Sequence, residues 1–270
     1  LYTVFYLDYY NKISGIFSVY YISSGHFGVS LVILASYLLF FKSYNESIIK
    51  KEILIIGILL GIFAIYISAA RSPLLALLVI FLYFIILKNK YKYIYVFIFL
   101  LLLGILSIYV CKEILHLESA FIVRNYSALF EGNTSGREPY FTRAIQIFKD
   151  NPLLGGRIMY EDGMYPHNII LELLMSGGIL ILFLFGLIFI PILKKIKYFL
   201  RFSDSKYYVL PVVGLWLQYL ILAQTSNNIY SNPDFWYFSS VVIGISINIY
   251  NEKIKSNDGS WNPSRNNTPF

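Results

Sequence analysis

Residues 51–90 read KEILIIGILLGIFAIYISAARSPLLALLVIFLYFIILKNK, two apolar runs joined through Arg71-Ser72 and flanked by lysines. A membrane-crossing helix needs roughly 20 mostly apolar residues, with a range of about 17–25. Ile53–Ala70 meets that length. Pro73–Leu87 is shorter, but Lys88, Lys90 and Lys92 can snorkel at its end. The stretch therefore predicts a hairpin of two membrane helices, with Arg71 at one face of the bilayer and the lysines at the other.

The pattern recurs outward from this hairpin. Gly25–Phe41, Tyr93–Cys111, Ile169–Leu193 and Tyr207–Thr225 are further apolar runs. Phe235–Tyr250 is shorter and more polar, but an aromatic belt, Phe235 to Phe238, stands at one end and Lys253 and Lys255 lie beyond the other. Basic residues fall in alternate connections: Lys42, Lys50 and Lys51; Lys88, Lys90 and Lys92; Lys194, Lys195, Lys197, Arg201 and Lys206; then Lys253, Lys255 and Arg265 in the tail. By the enrichment of Lys and Arg in cytoplasmic loops, seven spans with the amino end outside satisfy every loop. The fold expected is an all-α integral membrane protein, a multi-span helical bundle with one long external loop carrying short amphipathic helices. Its parts are an external segment 1–24, four membrane helices in 25–111, an external loop domain 112–168, three membrane helices in 169–250 and a disordered cytoplasmic tail 251–270.

Composition agrees. The 270 residues are 57% apolar and 14% charged, where a soluble domain carries about 25% charged residues. This excludes a disordered chain, a nucleic-acid module and a typical soluble enzyme. The net charge of +7 sits on the cytoplasmic rim, facing anionic lipid, and requires no nucleic acid. The single cysteine, Cys111, excludes an intramolecular disulfide and a Cys-based zinc site. His26, His116 and His167 lack i,i+4 metal spacing. The chain opens at Leu1 without methionine or signal-peptide pattern, and is read as the carboxyl-terminal part of a longer protein with more spans upstream.

Chemistry is expected in the external loop. Ser135 followed by Glu138 has capping-box spacing, and Phe141, Ala144, Ile145 and Phe148 form an apolar helical stripe ended by Asn151-Pro152. The segment Ser135–Lys149 thus predicts an amphipathic helix. Arg137 lies in its first turn, where free N–H groups favour an anion and a guanidinium adds a fork suited to phosphate oxygens; the plainer reading is a solvated arginine. Arg71 is the only basic residue in its short outer turn, and is either a snorkelling anchor or an anion ligand. His167 ends the loop, and its imidazole could take a proton near neutral pH or simply cap the next span. Asn168 and Glu172 follow on one helical face, and Glu172 is an ionisable group inside an apolar run. Gly155-Gly156 reads as a turn and Gly177-Gly178 as a close-packing or flexing point. Glu161 and Asp162 stand in a turn beside Gly163, with no glycosidase-type carboxylate pair evident.

The run Ser135-Gly136-Arg137, Ala144, Phe148, Asn151-Pro152, Gly155-Gly156, His167-Asn168, Leu171-Glu172 and Gly177-Gly178, with Arg71 at a span end upstream, resembles the O-antigen ligase and polymerase family. The likeness covers roughly Gly25 to Tyr250, with Gly155-Gly156-Arg157 in place of the more usual Gly-x-Gly. The resemblance implies a metal-independent, cofactor-free glycosyltransferase of GT-C-like architecture in the bacterial inner membrane. It implies an undecaprenyl-diphosphate-linked glycan donor and a glycan acceptor outside the membrane, with a chain-length regulator protein as a further partner. It assigns Arg71 and Arg137 to the diphosphate and His167 to the acceptor hydroxyl. The function expected is a polysaccharide repeat-unit polymerase, with a ligase as the near alternative. A transporter of lipid-linked sugars or a membrane anchor without chemistry are the rivals; the chain shows neither an internal repeat nor paired Gly/Pro-interrupted half-spans.

Overall fold

The structure is a computed structural model that describes residues 21–40, 50–87, 91–202, 209–230 and 232–257. The expected amino-terminal segment up to residue 20, the basic residues Lys42, Lys88, Lys90 and Lys206, and the tail from residue 258 lie outside the described residues.

All elements among the described residues are helical. In chain order they are α1 (Tyr21–Phe40), α2 (Lys51–Ser68), α3 (Arg71–Leu87), α4 (Lys92–Tyr109, continued by a π-helical turn Val110–Ile114), α5 (Ala120–Phe130), α6 (Glu138–Asp150), α7 (Ile169–Phe202), α8 (Val209–Thr225) and α9 (Pro233–Asn257). Among the described residues, four helical stretches are long and apolar enough to cross a membrane: Ile22–Leu39, Lys51–Ser68, Lys92–Ile114 and Ile169–Lys194. Arg71–Ile86 and Val209–Thr225 are shorter apolar helices. The chain is an all-α membrane protein. Two boundaries differ from the expectation: α7 runs on through Lys195, Lys197 and Arg201, and α9 continues to Asn257, so residues 251–257 are helix rather than disordered tail.

The α1–α2 pair crosses closely because glycines face each other. A Cβ on Gly28 would stand 2.5 Å from the Gly61 carbonyl oxygen, and one on Gly61 2.7 Å from that of Gly28, the small-residue contact by which membrane helices approach. Val29, Ile33, Ile65, Ala76 and Ile80 bury together across α1, α2 and α3. A second core joins α7, α8 and α9 through Phe189, Trp216 and Phe235. Trp216 Nε1 donates to Ser239 Oγ at 2.9 Å, which satisfies the buried indole. No residue of α4 is buried. Its all-round apolar surface suits acyl chains.

The decisive local feature is a break in α7. Gly178 has φ 62° and ψ −158°, a conformation essentially reserved for glycine. The break frees backbone groups that hydrocarbon cannot satisfy, and the segment after α6 supplies their partners. Ile179 N donates to Pro152 O at 2.9 Å and Leu180 N to Leu153 O at 3.3 Å, while Gly156 N and Arg157 N donate to Met175 O at 2.9 and 3.3 Å. There is no room for side chains at the seam. A Cβ on Gly178 would meet the Leu153 carbonyl at 2.5 Å, and one on Gly155 the Gly177 nitrogen at 2.5 Å. The two glycine pairs, read separately as a turn and a flexing point, are the two sides of one joint.

Gly178→Ala should therefore destabilise the protein by more than the roughly 1–3 kcal/mol of backbone strain alone. Gly104→Ala, at a helical site with nothing within 4 Å, should be neutral or stabilising by about 0.5–1 kcal/mol. Thermal unfolding in detergent measures both; equal melting temperatures for the two variants would contradict the joint.

Candidate functional site

The segment between α4 and α7 is tied to the bundle by Arg71. Helix α2 ends at Ala69 in the left-handed region (φ 48°), and the two-residue turn Ala69-Ala70 sets Arg71 at the first position of α3. Its Nε donates to Arg124 O at 3.0 Å, Nη1 to Asn133 O at 2.6 Å and Ser135 Oγ at 3.2 Å, and Nη2 to Ser127 Oγ at 3.3 Å. The guanidinium thus binds α5 and the α5–α6 connection to the hairpin turn. Its fork is engaged by neutral acceptors, and the residue borders a cavity.

That cavity, of about 160 Å³, is lined by Arg71, Ser72, Arg124, Ser135, Arg137 and Ser226 among others. Helix α6 does not begin with the expected capping box. Its N-cap is Arg137, without a side-chain cap bond. Ser135 has φ 63°, incompatible with the extended N-cap geometry, and its oxygen is taken by Arg71. The buried face of α6 is also rotated from the expected stripe. Ala144 is buried with Tyr140 and Ile147 against Tyr160 and Met175, while Ile145 is exposed.

Arg137 and His167 meet at the end of α8. Arg137 Nη1 donates to Thr225 O, and Nη2 reaches Ser226 Oγ at 3.5 Å. His167 Nδ1 is 3.3 Å from Ser226 O. The last carbonyls of a helix lack intrahelical partners and carry its negative dipole end, so both contacts are favourable for cationic or N–H groups. A carbonyl can only accept. The contact therefore places the hydrogen of a neutral imidazole on Nδ1 and leaves Nε2 as the basic nitrogen. Tyr165 packs on the His167 ring at 4.3 Å between centroids, and Tyr140 approaches edge-on at 6.1 Å. Burial holds His167 below its ordinary value of about 6.5; the Ser226 carbonyl opposes this and the Arg137 charge adds to it.

Asn168 and Glu172 both bond to backbone. Asn168 Oδ1 accepts from Leu171 N at 3.0 Å and caps α7. Glu172 is fully buried; Oε2 accepts from Ile229 N at 3.0 Å, and Oε1 has no partner among the described residues. It tethers the α8–α9 connection that carries the Ser226 carbonyl. Glu161 and Asp162 do have partners, Arg157 at 2.5 Å and Arg143 at 3.0 Å. Among the described residues no group of three or more His, Cys, Asp or Glu side chains is placed to hold a metal ion.

Arg124 and the α8 terminus were not anticipated. Helix α5 carries a sequence signal, Ser119 as N-cap accepting from Ile122 N at 3.3 Å, ahead of apolar Phe121, Ile122 and Tyr126. The carbonyls of Thr225 and Ser226 carry none, because any residue supplies a carbonyl.

Residues 56–186 match the family model described as O-antigen ligase. No curated protein and no solved structure matches the chain. The matched stretch runs from α2 into α7 and holds Arg71, Arg124, Arg137, His167 and both glycine pairs.

Two measurements check this geometry. Arg71→Lys keeps the charge but replaces a five-donor fork by three donors on one nitrogen; limited proteolysis should then cut the 131–136 connection faster. Histidine NMR titration should find His167 protonating only below 6.5, so the ring is neutral at pH 7. Because its folded-state affinity for protons is depressed, its linked stability is lost as pH falls below 6.5. Arg137→Gln should move the titration upward; an unmoved titration would show that the two groups do not interact.

Proposed function

We propose, from the premise that this chain carries the domain of the O-antigen ligase family, that it is the polysaccharide-polymerising kind of membrane glycosyltransferase. Its donor is a glycan on undecaprenyl diphosphate, and its site opens on the external, periplasmic face of a seven-span bundle. The observation that carries the reading is the Nδ1 contact of His167 with the Ser226 carbonyl, in a loop that also sets Arg71 and Arg137 around one cavity.

The chemistry follows from those groups. The acceptor hydroxyl oxygen bonds to the anomeric carbon of the donor. Its proton passes to His167 Nε2, the lone pair that the Ser226 contact leaves free. The bond from the anomeric carbon to the diphosphate oxygen breaks, and the electron pair leaves with the diphosphate. Negative charge on that leaving group grows as the bond lengthens. Arg71 and Arg137, held by carbonyls and hydroxyls, present fixed positive charge to it, the preorganised electrostatics that is often the largest catalytic contribution. A neutral imidazole at pH 7 suits the base, and the neighbouring Arg137 helps keep it neutral.

The family model's description favours a second reading, transfer of finished polymer to a lipid or protein acceptor. The transporter alternative has less support. The broken α7 is a half-span feature, but its freed groups are filled by residues 152–157 rather than left open to an ion or substrate.

Alanine at Arg71, Arg137 or His167 should remove long glycan chains from cells while the protein stays in the membrane. A polymerase defect leaves single repeat units. A ligase defect accumulates full-length lipid-linked polymer, and a glycan gel separates the two. Normal long chains from all three variants would end the glycosyltransferase reading.

A further inference from the structure

Behind the arginine cavity, the bundle holds a histidine that the reaction above leaves unused. His26 on α1 is 2% exposed, and its Nε2 lies 3.2 Å from Ser72 Oγ. Ser72, 4% exposed, follows Arg71 at the start of α3 and lines the same cavity. The ring's other nitrogen, Nδ1, has no partner among the described residues. An ionisable side chain within a membrane helix is costly and calls for a function by default.

The tautomer follows from hydrogen-bond accounting. A neutral imidazole has one N–H and one lone pair. A hydrogen on Nδ1 would be a buried donor without an acceptor. A hydrogen on Nε2 is donated to Ser72 Oγ and leaves only a lone pair unmet, the cheaper arrangement. Ser72 then accepts from His26, and its own hydroxyl hydrogen is left to be donated on the side where the cavity lies. The ring is held for this from α8. Gln218 Nε2 donates to the His26 carbonyl at 2.8 Å and to Ser30 Oγ at 3.0 Å. Tyr219 stacks on the imidazole at 6.4 Å between centroids.

We propose that Ser72 is a further substrate-binding residue of the cavity, donating its hydroxyl hydrogen to a diphosphate oxygen, and that His26 is the positioning residue that turns it there. The inference rests on the reading of the cavity as a diphosphate site. A hydroxyl bound to an ionised phosphate oxygen makes a short, charge-assisted bond and adds a directional contact without a third full charge.

Calorimetry on the full chain in detergent tests this, with farnesyl diphosphate as the probe and farnesyl monophosphate as its comparison. Ser72→Ala should weaken diphosphate binding about ten-fold, with a lowered melting temperature because His26 Nε2 loses its acceptor. His26→Leu should weaken it similarly, and the two changes together should do no more than either alone, the non-additivity expected of groups acting through one contact. His26→Gln, which keeps an N–H donor, should recover part of the loss. If Arg137→Ala loses binding while Ser72→Ala binds as the unaltered protein does, the Ser72 assignment falls and the cavity reading stands. If the unaltered protein binds neither probe, both fall. Should His26→Leu fail to fold, Ser72→Ala decides alone.

Discussion

The arrangement depends on one constraint: a backbone interrupted at membrane depth must find partners inside the protein. Helix α7 is interrupted at Gly178, and residues 152–157 fill the gap with main-chain bonds in both directions. That graft fixes the loop by its backbone rather than by side chains. On one side it anchors α6, and through it Arg137 at the helix start. On the other it leads to Tyr160, which packs with Ala144 and Met175 and donates its hydroxyl to Tyr140 O at 2.5 Å. Burial pushes the Tyr160 phenol up to about 12, so it remains a donor at any physiological pH. The chain then returns to α7 through Tyr165 and His167, closing a loop with both ends on the same broken helix.

A second economy appears at the end of α8. Its terminal carbonyls would be orphaned in an apolar setting. Arg137 and His167 satisfy them, so the bonds that finish one helix also fix these two side chains. The same proximity sets their charge states apart. Arg137 is permanently cationic, while burial, against the Ser226 carbonyl and with a smaller contribution from the Arg137 charge, lowers the affinity of His167 for a proton. One cation and one base can therefore stand side by side, where two imidazole-like groups of equal affinity would compete for the proton.

The apolar helices could be read from the sequence because hydrophobic length is a one-dimensional property, and Arg71, Arg137 and His167 stood out because charge beside an apolar run is conspicuous. What could not be read was competition and partnership. Ser135 and Glu138 have faultless capping-box spacing, but Arg71, 64 residues upstream, takes the serine oxygen, and the left-handed backbone there forbids the cap. Gly155 and Gly178 each suggested local irregularity; that they face one another is a tertiary fact. The Ser226 carbonyl has no sequence identity at all, and Glu172 found its partner in the backbone of Ile229. Helix α9 overran its expected end because the Lys and Asn residues after Tyr250 are compatible with a polar last turn.

Arg71 shows how a structural and an electrostatic role can coexist in one side chain. Its bonds to Arg124 O, Asn133 O, Ser127 Oγ and Ser135 Oγ go to neutral oxygens. These acceptors fix the direction of the guanidinium. The clamp that holds the loop thus also holds the guanidinium stationary at the cavity wall. A charge that need not reorganise when an anion forms beside it is worth more than a mobile one. The more firmly Arg71 is committed to the loop, the more stationary is the guanidinium it sets at the cavity wall.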